Sequence, residues 1–529
     1  MTAENRLPET AYRLQIATTH AQSGRFQEML AICQSLITEH DHDMNILLDV
    51  GTLLFSYGFL SHARQCFDRA YALDPSDLRL LANLANVARE SGIHDKSRRL
   101  YALLLKKLPQ HPVVRRNALV SLEYDPKVPN AERLLEAKNW GEWAIAQAGG
   151  WRPRPSGLPL RDRPLRVAYV SADLCQHTVG LFVKHVIKAH DIAKVVAFAY
   201  SAGQLNDWVT DEIRQYSQFR NVVTLDDEHL AALIRQDNID VLIDLSGHTA
   251  GSRLTVFAHR PAPLMVSWLG YFATTGLAYL DAVLLDEWHA PDGMECQFVE
   301  PIVRLSSGRF CYQPVPWAPA EIAPLPAIQN GYITFGSFNN TAKYNPEVFW
   351  LWTRILIAVS GSRLCLKWRT LVDADLCQSI VASFVQQGIA AERIECRGAS
   401  FHADVLKEYA DIDIALDPFP FTGGLTSCEA LWMGVPVVTW PQSRVVSRQT
   451  YALLGAIGLV ELAAQNAENY VAIAVQLAAD RERLVMLRNS LRTRMQASTL
   501  MDVTGFCRNF EQILRALYNK IVIDENDVQ

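Results

Sequence analysis

The stretch "DIALDPFPFTGGLTSCEALWMGVPVVTW", residues 413–440, reads as a strand, a glycine turn, a short helix and a second strand. The helix is predicted to begin at Thr426 and to stop at Gly434 and Pro436. Gly423 and Gly424 permit backbone that a Cβ would block. Open amides at the helix start, reinforced by the helix dipole, favour a phosphate. Thr426 and Glu429 also have the spacing of a capping box, which would satisfy the same amides without a ligand. The residues alone leave a phosphate cradle and a well-capped helix both open.

Outward from this stretch the same alternation recurs. "YITFGSF", "RLCLKW", "RIECRG", "DIDIALD" and "VPVVTW" are short β-branched runs from residue 331 onward, and a final helix is expected near 503–520. Before the proline-rich break at 314–330 stand "LRVAYVS", "KVVAFAYS", "NVVTL", "DVLIDLS" and "DAVLLD". Strands separated by helical lengths predict parallel α/β sheets. Two Rossmann-like domains in tandem, 165–315 and 331–520, would meet across a cleft, and ligands of such sheets bind at the carboxyl ends of the strands. No GxGxxG follows a strand and no GxxxxGK[ST] occurs, which counts against a dinucleotide oxidoreductase and a P-loop enzyme. Two-domain nucleotide-sugar transferases use this architecture without either motif.

The front of the chain repeats. Gly24, Gly58 and Gly92 are 34 residues apart, as are Ala17, Gly51 and Ala85, and as are Pro75 and Pro109. This period and pattern predict tetratricopeptide helix pairs: small residues let helices approach, glycine turns the chain, and proline starts the next pair. The first repeat is degenerate, with Met29 and Asp41 where small and proline residues are expected. Helices joined at "YDPKVP" extend the helical region to about residue 150, and "WRPRPSGLPLRDRP", residues 151–164, reads as a linker. Stacked repeats form a curved surface, for which partner binding and a spacer role are both open.

Composition narrows the classes. The chain has 529 residues, 49% of them hydrophobic and 20% charged, which suits two or three globular domains. A net charge of −6 supplies no basic field for nucleic acid. "MTAENRLPETAYRLQ" lacks the apolar core of a signal peptide, and no apolar run reaches the roughly 18 residues of a membrane span. Ten scattered cysteines without a CxxC pair, several inside apolar runs, predict buried thiols in a reducing cytoplasm.

Further candidates lie after predicted strands. In "GSFNNTAKYNP", residues 336–346, Asn339 and Asn340 donate and accept, and Lys343 is a cation able to neutralise charge on a leaving diphosphate. His177 in "VSADLCQHTVGLF" and His248 in "DLSGHTAGSRL" follow two strands of one sheet and are candidate bases or hydrogen-bond donors. "RPAPLMVSWLGYFATTG", residues 260–276, is expected to border the same cleft. Two DxD-like pairs are weak metal candidates: "DAD" at 373–375 is expected to be solvated, and "DID" at 411–413 opens a strand away from the cleft. No metal and no cofactor are expected.

These motifs, in this order, resemble the O-linked N-acetylglucosaminyltransferase family, which includes the SPINDLY-type proteins, and especially its bacterial members. The resemblance runs over the repeats, "YDPKVPNAERLLEAKNWGEWA", "RVAYVSADLCQHTVGLF", "DVLIDLSGHTAGSRL", "RPAPLMVSWLGYFATTG", "FGSFNNTAKYNPEV" and residues 413–440. It implies a GT-B fold and metal-independent, inverting transfer, usually of N-acetylglucosamine from UDP-N-acetylglucosamine to a protein Ser or Thr. Some relatives transfer fucose from a GDP donor. By resemblance, Lys343 meets the donor diphosphate with Asn340 beside it, and Gly423, Gly424, Leu425 and Thr426 form the phosphate turn. Glu429 meets the ribose, and His177 and His248 lie near sugar and acceptor. The chain departs from the family pattern at Val405, where relatives carry a nucleotide-contacting histidine, with His402 one helical turn earlier. It departs again at Leu425, within a run of threonines, and at Val445 and Val446, before Ser447-Arg448, where many bacterial relatives have a histidine. An inactive scaffold that binds partners through its repeats, another nucleotide sugar, and a glycan or lipid acceptor stand as alternatives.

Overall fold

The computed structural model describes residues 9–160 and 163–526. Residues 1–8, the start of "MTAENRLPETAYRLQ", and Arg161 and Asp162 of the expected linker lie outside the described residues.

Among the described residues, eight helices come first: α1 (Glu9–Gln22), α2 (Phe26–Glu39), α3 (Met44–Ser56), α4 (Leu60–Leu73), α5 (Leu78–Glu90), α6 (His94–Lys107), α7 (Pro112–Tyr124) and α8 (Asn130–Gln147). The first six pack as the three pairs the 34-residue period predicts. Gly58 and Gly92 turn the chain inside their pairs at φ of 91° and 74°, a region closed to most side chains. The two prolines of the 34-residue series do not open the helices. Pro75 and Pro109 precede them in the turns, and the caps are Asp43, Asp77 and His111, a further 34-residue series. The reason is chemical: a proline side chain carries no acceptor for the first orphan amides, whereas an aspartate carboxylate or a histidine ring nitrogen does.

A first run of alternating elements follows: β1 (Leu165–Ser171), α9 (Thr178–Ala189), β2 (Val195–Ser201), α10 (Trp208–Gln215), β3 (Gln218–Asn221), α11 (Asp227–Gln236), β4 (Val241–Asp244), α12 (Leu254–Phe257), β5 (Leu264–Trp268), β6 (Ala282–Leu285) and β7 (Ile302–Arg304). The second run is α13 (Pro326–Asn330), β8 (Thr334–Ser337), α14 (Pro346–Ala358), β9 (Arg363–Lys367), α15 (Ala374–Val385), β10 (Ile394–Arg397), α16 (His402–Glu408), β11 (Ile414–Leu416), α17 (Leu425–Trp432) and β12 (Val437–Val438). It closes with α18 (Gln449–Ala456), α19 (Ala467–Ala479), α20 (Arg481–Gln496) and α21 (Val503–Asn526).

The chain divides into two compact units, Met1–Val114 with Asn330–Val405 and Arg115–Gln329 with Leu406–Gln529. In the first, β10, β9 and β8 lie side by side in parallel. The repeats grip the loops that follow these strands. Thr341 Oγ1 donates to the Glu90 carbonyl at 2.7 Å, the His94 ring reaches the Tyr344 carbonyl at 3.3 Å, and Asp373 accepts the Ser61 amide at 2.6 Å. Asp373, expected to be solvated, is therefore buried, and it also caps α15. Its neighbour Ser61 comes from 312 residues earlier in the chain, which no local pattern reports.

In the second unit, seven parallel strands take the order β3-β2-β1-β4-β5-β6-β7. The run "NVVTL" is not the strand expected there. β3 is the polar Gln218–Asn221, paired with β2 at the sheet's edge, and Val222, just past it, gives its amide to the Ser201 carbonyl at 2.9 Å and is buried among Leu230 and Ile234 of α11. At an edge, half the strand faces water, so polarity is tolerated and the apolar signal shifts to the loop. The arginine- and proline-rich stretch is no free linker. Arg154 ties it to Asp281 and the Pro263 carbonyl at 2.6 and 2.7 Å, and Arg163 makes a bidentate pair with Asp240 at 2.6 and 2.8 Å. Proline forbids regular structure there, and fork-like guanidinium bonds hold the extended backbone instead. α17 crosses between the parallel strands β11 and β12, as residues 413–440 predict.

All ten cysteines are free, and Cys33, Cys66, Cys365 and Cys428 are buried. Among the described residues, no helix is long and apolar enough to cross a membrane.

Candidate active site

The turn before α17 is built by side chains from three segments. Asp417, at the end of β11, accepts the Gly423 amide at 2.7 Å and the Thr439 hydroxyl at 2.7 Å. Thr422 donates to the Val446 carbonyl, Gln449 to the Thr422 carbonyl, and Thr450 to the Gly423 carbonyl. Gly423 has no room for a Cβ, which would collide with Ser427 Oγ and Thr426 Oγ1. Gly424 occupies the N-cap, Leu425 is the first helical residue, and among the described residues no side chain caps the helix. Thr426 is thus not at the N-cap position that a capping box with Glu429 requires. Thr426 stands one residue inside the helix, too late to be the cap, and Glu429 is buried beneath it. Tyr409 supports the turn through its hydroxyl on the Thr426 carbonyl at 3.0 Å.

Asp417 follows a pattern that sequence reading missed. β4 ends in Asp244, which takes the Ser246 and Gly247 amides at 3.1 and 2.8 Å. Directly after β6, Asp286 takes the His289 and Arg309 amides at 2.7 and 2.8 Å. An aspartate closing an apolar strand, in "LID", "LLD" and "ALD", is the signal that was available: a short acceptor there gathers the amides of the outgoing loop.

The loop that Asp244 gathers carries His248. Its Nε2 lies 2.8 Å from the Thr275 carbonyl. A carbonyl only accepts, so Nε2 carries the proton and Nδ1 holds a bare lone pair. Nδ1 is buried and has no hydrogen-bond partner among the described residues. The ring packs edge-on against Trp140 and Tyr271 at 4.5 and 5.1 Å between centroids. Burial lowers its pKa to about 4, so the ring is neutral at pH 7 and gains its charge only when pH falls through about 4. We expect His248 to keep its neutral Nε2–H nitrogen shifts down to about pH 4 in a histidine-labelled NMR titration. A midpoint near the ordinary 6.5 would contradict the burial.

β1 and β4 are neighbours in the sheet, so the His177 and His248 loops leave the same edge side by side, joined by Ser171 and Ser246 at 3.0 Å. His177 is exposed and accepts the Val179 amide on Nδ1 at 3.3 Å as the N-cap of α9, with Asp173 at 3.7 Å. Residues 260–276 reach the same group: Thr275 meets His248, and Gly270 packs against the Leu245 carbonyl. In the first unit, Asn340 caps the short 341–343 turn after β8 by accepting the Ala342 amide at 2.9 Å. Lys343 is half-buried and donates from Nζ to Asn339 Oδ1 at 2.9 Å. Of the departures, Val405 lies inside α16, which His402 opens. Val445 is buried with Val283, Leu285 and Met294, where valine fills an apolar gap.

The model of glycosyl transferase family 41 matches residues 154–312 and 325–510. A probable UDP-N-acetylglucosamine–peptide N-acetylglucosaminyltransferase SPINDLY from Solanum lycopersicum is 35% identical over 414 residues, covering 76% of this chain and 44% of that protein. A Caenorhabditis elegans UDP-N-acetylglucosamine–peptide N-acetylglucosaminyltransferase is 23% identical over 473 residues, covering 67% of this chain and 41% of that one. The chain thus spans less than half the length of these curated relatives. The solved structure of a Thermobaculum terrenum O-GlcNAc transferase mutant superposes with a TM-score of 0.87 at 32% identity, covering 98% of this chain and 100% of that one. The expected architecture, helical repeats before two Rossmann-like sheets of GT-B type, is the fold of this protein. With a family model matched over well over half its length and a relative aligned end to end, the chain belongs to glycosyl transferase family 41.

Proposed function

We propose that the protein is an inverting, metal-independent glycosyltransferase that moves N-acetylglucosamine from UDP-N-acetylglucosamine onto a protein Ser or Thr hydroxyl. The observation that carries this reading is the uncapped start of α17 at Gly424, on a turn held rigid by Asp417, Gln449 and Thr450. A helix start without a side-chain cap, at the carboxyl end of a sheet strand, suits a phosphate. The names of the matched relatives supply the donor and acceptor classes.

In this reading residues 331–520 hold the nucleotide, 165–315 hold the acceptor, and 1–150 offer the repeat surface to acceptor proteins. An acceptor hydroxyl attacks the anomeric carbon as the bond to the diphosphate breaks. Lys343, steadied by Asn339 and with Asn340 fixing its turn, and the amides of Gly424, Leu425 and Thr426 stabilise the leaving charge. Glu429 receives the ribose hydroxyls. His248 Nδ1, with a pKa near 4, is a poor proton acceptor but a good hydrogen-bond acceptor, so it orients sugar or hydroxyl. His177 lies at the more exposed side of the same sheet edge. No metal or cofactor takes part in the proposal, and the work is placed in the cytoplasm, away from nucleic acid. Because the repeats grip Thr341 and Tyr344, removing residues 1–110 also strips the Lys343 loop of its support, whatever the acceptor.

A second reading keeps the chemistry and changes the donor to a guanine nucleotide sugar such as GDP-fucose. The valine at 405 favours it, since an apolar side chain stands where relatives contact the nucleotide. Calorimetry with UDP and GDP, followed by mass spectrometry of host proteins incubated with each sugar nucleotide, separates the readings. We expect UDP to bind and an N-acetylhexosamine mass to appear on Ser or Thr. A deoxyhexose mass with GDP binding would select the second reading. Binding of neither nucleotide would leave an inactive scaffold.

A further inference from the structure

Glu300 is a buried carboxylate, 4% exposed, that the mechanism above does not use. It accepts the Thr275 amide at 2.7 Å, the Thr274 hydroxyl at 2.5 Å and the Thr275 hydroxyl. The two threonine oxygens turn back on the chain: Thr274 Oγ1 accepts the Gly276 and Val299 amides, and Thr275 Oγ1 accepts the Leu277 amide. One carboxylate thus closes a network over residues 274–277. α8 closes it from the other side, because the Gly276 carbonyl fills the space beside Gly141, and Gly276 itself abuts the Ala137 carbonyl. The Thr275 carbonyl leaves this turn for a side chain and takes the His248 Nε2 proton at 2.8 Å.

We propose that Glu300 is a positioning residue for His248: by locking the Thr274–Gly276 turn it fixes which ring nitrogen carries the proton, and so presents Nδ1 as an acceptor. The proposal rests on the reading that His248 belongs to the sugar or acceptor site. The physical step is short. A fixed carbonyl selects the Nε2–H tautomer, and a turn free to rotate does not. Three donors converge on Glu300, and only an acceptor-only group takes them all. Glutamine at this place would keep the volume but bring its own N–H groups against two hydroxyls and an amide, and the turn would have to rearrange.

The test uses the full chain with labelled histidine. In the wild type, His248 should show a protonated Nε2 and an unprotonated Nδ1. In Glu300→Gln the two tautomers should mix, kcat should fall about tenfold or more, and UDP affinity by calorimetry should stay within about twofold, the pattern of lost outer support for a functional histidine. Thr274→Val, which leaves the carboxylate but removes one donor to it and the acceptor of the Gly276 and Val299 amides, should move both readouts the same way, and serves if the glutamine variant does not fold. An unchanged tautomer in a folded variant overturns the proposal. So does a mixed tautomer with unchanged kcat. If the wild type transfers no sugar, the proposed activity fails by itself, while the ring-nitrogen shifts still decide whether Glu300 sets His248.

Discussion

Lys343→Ala is expected to lower turnover by about 10²- to 10³-fold, the scale of removing one group that stabilises charge in the transition state. The side chain is half-buried, and its ammonium rests on Asn339 at 2.9 Å, so the cation is held in place before any ligand arrives. Preorganisation of this kind is what makes a single charge count, since no solvent has to reorganise as the diphosphate leaves. The loop itself does not depend on the ammonium. Asn340 caps the turn, the Lys343 amide donates to the Asn340 carbonyl at 2.9 Å, and Thr341 anchors it to Glu90. The variant should therefore melt near the wild type. Lys343→Arg should not restore activity, because a planar guanidinium does not replace a compact ammonium on Asn339. The measurement is transfer to an acceptor protein beside a melting curve. Near-normal transfer by the alanine variant would remove Lys343 from the mechanism.

Gly141→Ala should destabilise the second unit by about 2–3 kcal/mol, the cost of overpacking a closed interior. The sign is the informative part. Gly141 lies in the middle of α8, and in a helix that faced only solvent the same change would stabilise by about 1 kcal/mol. Here a Cβ would drive into the Gly276 carbonyl and come within 3.1 Å of Leu277 Cα, and neither is a side chain that can step aside. To admit a methyl group, α8 must lift from the turn, taking with it Trp140, which packs on His248. Urea unfolding followed by tryptophan fluorescence reads the effect. A midpoint higher than wild type would show that α8 does not seat against the turn.

The legible part of this protein is the part written in local spacing. The 34-residue period places the helix pairs and their glycine turns, and β-branched runs place most of the strands. Strand, glycines, helix and strand in residues 413–440 appear where they are read. Local spacing was also ambiguous at the decisive place, since Thr426 and Glu429 spell a capping box whether or not the helix begins there. The structure starts α17 one residue earlier, because Asp417 and Gln449 pull the turn tight, and Gly424 takes the N-cap in place of Thr426.

Local patterning along the chain specifies the order of elements, the two-sheet architecture with helical repeats in front, and the short list of candidate residues, because periodicity and turn chemistry act between near neighbours. Tertiary structure alone decided which of those residues are held and how. Asp373 is buried by Ser61, the Lys343 loop is braced by Glu90 and His94, and Thr275 chooses the proton of His248 under the grip of Glu300. The physical reason is that a hydrogen bond or a steric contact acts over a few ångströms in space, and its partners here stand from 25 to 312 positions apart along the chain.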